Sequence, residues 1–115
     1  LLRAAEIPCR LAFADIRSHV LSPELQEFLG GNLITHHGYV EILLGGRWIK
    51  ATPAFDAAMC ERKGLHVVEF DGYNDAVLPA TKLDGQPHIE YVRYIGAYDD
   101  LPFRQICEAC VSCYA

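Results

Sequence analysis

The sequence predicts an α+β fold, an antiparallel sheet with flanking helices, on three observations. Gly45-Gly46 separates two β-favouring runs, Gly38 to Leu44 and Arg47 to Ala51, as the two-residue loop of a hairpin does. Ser22-Pro23 and Gly30-Gly31 bracket a short helix with start and stop signals. Pro102 to Tyr114 repeats apolar residues at helical spacing. Helices gathered around antiparallel strands define the α+β class.

The elements follow in order. Leu1 to Ala5 reads as the last turn of a helix, ended by the Glu6-Ile7-Pro8 approach to proline, whose ring disfavours helical geometry in the residue before it. Cys9 to Ile16 alternates as a strand, with Leu11 and Phe13 on one face. Between Ser22 and Gly30, Leu25, Phe28 and Leu29 form the apolar side of the first full helix. After the hairpin, Asp56 is placed to cap a helix running to about Lys63, with Gly64 closing it. Asp84-Gly85 marks a turn, and His88 to Ile95 reads as extended. Asp99 or Asp100 is the expected cap of the closing helix.

Composition bounds the function. The 115 residues suit a single domain, 1–115, and a 51% hydrophobic, 22% charged composition is ordinary for a globular protein. No apolar run approaches the ~20 residues of a membrane-spanning helix. The net charge is -5 and the ten Lys and Arg are scattered, so the clustered cations that neutralise nucleic-acid phosphates are missing. Five cysteines without a framework-like spread point to a reducing compartment, the cytoplasm. The chain opens Leu-Leu-Arg and shows no signal peptide. Its natural start is expected to lie upstream, so a targeting segment there stays open.

The hairpin also sets a register. With Gly45 and Gly46 as the loop, Leu44 faces Arg47, Tyr39 faces Thr52 and His37 faces Ala54. Opposed residues share a face, and diagonal neighbours lie within about 7–8 Å, so Thr52 is expected diagonally beside His37. Glu41 shares that face but lies about 13 Å along the strand, too far to orient the imidazole.

The runs His37-Gly38-Tyr39-Val40-Glu41-Ile42 and Gly46-Arg47-Trp48-Ile49-Lys50-Ala51-Thr52-Pro53 resemble the transglutaminase-like superfamily. Members carry a histidine, a small residue, an aromatic and an acid on one strand, then a Gly-x-Trp turn and strand ending in Asp-Pro. Leu1 to Arg10 resembles the family's helix end and Ile-Pro-x-Arg strand entry. These motifs cover about half the chain, and the whole is most similar to bacterial transglutaminase-like domain proteins. The resemblance implies a papain-like α+β fold, here N-terminally truncated, with a Cys-His-Asp triad and no cofactor.

By position, the resemblance makes His37 the general base. It puts Thr52 where the family has its orienting aspartate. A hydroxyl can accept from imidazole but brings no charge to stabilise imidazolium. Asp56 is the nearest carboxylate that could reach back, although a helix cap is its simpler role. The family's nucleophilic cysteine opens the helix before the Ile-Pro-x-Arg strand, where the helix N-terminus lowers thiol pKa. None of Cys9, Cys60, Cys107, Cys110 or Cys113 fills that position. The implied parent is a cysteine protease-like or transglutaminase-like hydrolase or transferase acting on a glutamine or peptide amide of a protein or peptide substrate. This stretch alone is expected to be inactive. The alternative is a non-catalytic interaction module that keeps the fold.

Other candidates read as structural. Cys107, Cys110 and Cys113 have metal-like spacing, but Phe103, Ile106, Cys107, Cys110, Val111 and Tyr114 follow helical periodicity and are expected to form one apolar stripe. That leaves no metal site in the expectation. His36 should point away from His37, to the surface, and His19, His66 and His88 read as loop or surface residues.

Overall fold

The computed structural model describes residues 1–52 and 55–115. Four strands, Cys9–Ser18 (β1), Leu33–Leu44 (β2), Arg47–Ala51 (β3) and Ile89–Tyr98 (β4), pair antiparallel in the order β3-β2-β1-β4. With helices Pro23–Leu29 (α1), Ala57–Lys63 (α2) and Phe103–Tyr114 (α3), the architecture is mixed α+β. Leu1 to Ala5 supplies a single 3-10 turn, Arg3–Ala5, closed by Glu6 at φ 60°.

Local chemistry explains the helix ends. Ser22 accepts a hydrogen bond from the Leu25 amide at 3.3 Å, and Gly30 closes α1 at φ 74°. Asp56 caps α2 by accepting from the Met59 amide at 2.8 Å, and Gly64 ends it at φ 64°. The start of α3 departs from expectation. Neither Asp99 nor Asp100 caps it; Pro102 holds the N-cap position without a side-chain bond, and Asp100 accepts instead from the Leu101 amide at 2.8 Å.

The hairpin register is the expected one, from Leu44 opposite Arg47 to Val40 opposite Ala51. One step further the Thr52 amide turns to the Ala76 carbonyl at 2.8 Å, so the ladder ends before Tyr39. The expected opposition of His37 and Ala54 lies outside the described residues.

Strand β2 runs five residues further back than the sequence suggests, and a bulge makes this possible. Pairing with β1 slips by one between Ala14–His37 and Ile16–Ile34, and His36 takes φ 54° in the left-handed region. The extra residue changes the phase of the pleat. Ile34 and His37, three apart, therefore face the same side as Ile16 and Ala14. The core lies on that side: Ala12, Ala14, Ile16, Tyr39, Leu78 and Ile89, with Ile34, Val68 and Tyr91 packed against it.

On the opposite face, α3 is rotated from the expected stripe. Ile106, Ala109, Cys110, Cys113 and Tyr114 are half-buried, whereas Phe103, Cys107 and Val111 are exposed. Two tertiary bonds select this rotation. The Tyr114 hydroxyl accepts from the Thr35 amide at 2.7 Å, and the Gln105 side-chain amide donates to the Tyr98 hydroxyl at 2.9 Å.

Candidate active site

His37 sits on β2 opposite Ala14, in the middle of the sheet. Ala12 and Ala14 of β1 are wholly buried and carry only a methyl group each. Over those small side chains, rings from the two flanking strands close on the imidazole. Tyr39 lies near-parallel to it with centroids 6.5 Å apart, and Tyr91 of β4 meets it edge-on at 6.2 Å and 70°. Such offset and edge-on arrangements are favoured by the ring quadrupoles.

The imidazole also lines a cavity of about 370 Å³ between the sheet and helices α1 and α2. Its Nε2 is buried and has no hydrogen-bond partner among the described residues. Burial pushes the His37 pKa below its ordinary value of 6.5, because the charged form loses its hydration. At neutral pH the ring is therefore uncharged and able to take a proton. Burial, with Glu41 as the next cause, raises Tyr39 to about 12, so its phenol stays protonated.

Thr52 is buried, as a position facing this side of the hairpin should be, but no hydrogen bond joins it to His37. Its hydroxyl has no hydrogen-bond partner among the described residues. Burial raises the Tyr91 pKa, and the Leu78 amide, donating to its hydroxyl at 3.2 Å, and the nearby Thr52 oppose that rise. Asp56 is exposed and engaged in capping α2. Glu41 is bound elsewhere too: Arg10 of β1 reaches it at 2.6 Å, with the guanidinium 4.1 Å above the Trp48 ring.

None of the five cysteines lines the cavity. Cys9 pairs with Ile42, five residues along β2 from His37, roughly 17 Å at strand rise. Cys60 is buried with its sulfur 3.7 Å from the His66 carbonyl and 3.8 Å from that of Phe55. Among the described residues, no three His, Cys, Asp or Glu side chains come together to hold a metal ion.

Two histidines differ from their expected surface placement. His88 is 1% exposed, and neither ring nitrogen has a partner among the described residues. His36 is half-buried, its Nδ1 3.0 Å from the Thr35 hydroxyl, which donates to Asp15 at 2.8 Å. Burial alone would raise the Asp15 pKa. The bonds from the Thr35 hydroxyl, the His36 amide and Arg93 outweigh it and leave the carboxyl below its usual value. No sequence spacing signals either site: β1, β2 and β4 assemble the second, and the His88 backbone is held between the Ala80 carbonyl and the His19 amide, both at 2.8 Å.

No family model, curated protein or solved structure matches this chain.

Proposed function

We propose that this domain carries the general-base half of a transglutaminase-like thiol acyl-transfer site. The observation that supports it is an uncharged imidazole on the resemblance's histidine strand, in a residue that lines the cavity, with its Nε2 buried and without a partner among the described residues. A buried nitrogen without a partner is costly, and it persists most readily where a reacting group is to be received.

The chemistry follows from that atom. A cysteine thiolate from outside the five cysteines described attacks the amide carbon. His37, protonated at Nε2 when it takes the thiol proton, gives that proton to the leaving amine as the C–N bond breaks. Water or a second amine, deprotonated by His37, then attacks the thioester and releases the thiolate. Tyr39 and Tyr91 hold the ring direction by packing, a role the family resemblance assigns to a hydrogen-bonding partner. In the natural protein, His37→Ala should abolish both amine release from a glutamine or peptide amide and incorporation of a fluorescent amine, with circular dichroism unchanged. Activity that survives the substitution rejects the reading.

A non-catalytic module is the second reading. It is favoured by the absence, among the described residues, of any hydrogen bond from His37 to a carboxylate or to the Thr52 hydroxyl. A natural protein without either activity, in which His37 can be replaced without loss of partner binding, would fit it.

A further inference from the structure

The cavity beside His37 has an uneven chemistry. Its walls are apolar: Ile16 and Ile34 from the sheet, Leu78 and Ile89 from the core, and Leu25 and Met59 from the helices. Leu25 is 42% exposed and Phe55 37% exposed, so large apolar side chains stand open to solvent at its mouth. The polar lining is sparse. Ser22 accepts from the Leu25 amide, and Ser18 accepts from the Val20 amide at 3.5 Å, so both hydroxyls are engaged with backbone. That leaves His37, uncharged, and Lys63, which projects from the last turn of α2.

Lys63 is the one cation of the lining among the described residues, and the lining contains no carboxylate. None of the described carboxylates pairs with it. An apolar chamber with a single positive charge is complementary to an amphiphilic monoanion. At about 370 Å³ it falls at the small end of the range for ligand pockets, roughly 300–1,000 Å³.

We propose that this cavity binds an apolar carboxylate: a short acyl chain or apolar amino-acid side chain lies against Ile16, Ile34 and Ile89, and its anionic group pairs with Lys63. The inference rests on the acyl-transfer reading only for its meaning. If that reading holds, the substrate carries an apolar, negatively charged group next to the amide that His37 serves. The binding itself needs no nucleophile.

Calorimetric titration of this chain with octanoate, octanol and octylamine tests the proposal, with N-acetyl-leucine separating an amino-acid source from an acyl chain. Octanoate or N-acetyl-leucine should bind at least tenfold more tightly than octylamine, and whichever binds more tightly names the source. Amide resonances of Met59 and Ile89 should shift on binding. Lys63→Glu, at an exposed position that leaves the fold intact, should remove the preference for the anion. Equal affinity for octanoate and octylamine, or an unchanged preference in Lys63→Glu, overturns it. These results are independent of the His37→Ala activity test, so either idea can fail alone.

Discussion

His37 and Tyr91 meet edge to face, 6.2 Å between ring centroids, although they belong to strands that do not pair. The contact spans β1 at the small Ala14, which faces His37 on one side and Tyr94 on the other, two pairs from Ile16–Tyr91. The Tyr91 hydroxyl in turn receives the Leu78 amide, tying the imidazole's neighbour to the irregular segment over the core. One aromatic residue therefore connects the proposed base to the wall that dries it.

Removing that ring should expose the imidazole. In Tyr91→Ala, the His37 pKa, followed by NMR titration of its ring protons, should rise toward 6.5, because burial is the named cause of its depression. Tyr91→Phe keeps the ring and should leave the titration in place while losing about 1 kcal/mol of stability with the Leu78 bond. A His37 titration unaffected by Tyr91→Ala would show that the ring does not shield it.

The smallness of Ala14 should be equally necessary. Its side chain is completely buried between the rings, so Ala14→Leu inserts three carbons into filled space. Overpacking of this kind costs typically 1–3 kcal/mol, readable as a lowered midpoint in urea. A variant as stable as the parent would mean that the sheet yields there.

Acid should destabilise the fold earlier than carboxylate protonation does. Burial lowers the pKa of both His37 and His88, and His66 and Lys82 add to the effect at His88. The unfolded chain then binds more protons than the folded one as pH falls through 6.5, so stability drops below that value and levels off below the folded pKa values. Above about pH 7 these groups should contribute no slope. His88→Leu should flatten part of the fall and be near-neutral or stabilising at pH 7, since neither nitrogen has a partner among the described residues. Urea midpoints from pH 4 to 8 measure both; an unchanged acid slope in His88→Leu contradicts the assignment.

Asp56 separates a cap from an orienting acid. Asp56→Ala should cost about 0.5–2 kcal/mol by removing the Met59 bond and leave the His37 titration unchanged. A downward shift of the His37 pKa in that variant would show instead that the carboxylate acts on the imidazole.

Local rules explain what the sequence made legible. Caps and glycine closures placed α1 and α2, and the Gly45-Gly46 loop placed the hairpin with its register, because each depends on residues within a few positions of one another. The strand was legible from Gly38 to Leu44 for the same reason, but not its extension back to Leu33 through His37. What surrounds His37 was not: Tyr91 arrives from 54 residues away along the chain, and the bulge at His36 depends on β1 as much as on β2.

The sequence by itself determined helices α1 and α2 and the hairpin pairing from Leu44–Arg47 to Val40–Ala51, since capping and turn geometry act over short range. Only the tertiary structure decided which face of α3 is covered, that His88 is buried, and that the Tyr39 and Tyr91 rings pack on His37. Those outcomes depend on burial and non-local pairing, whose energies arise only when distant segments share one closely packed space.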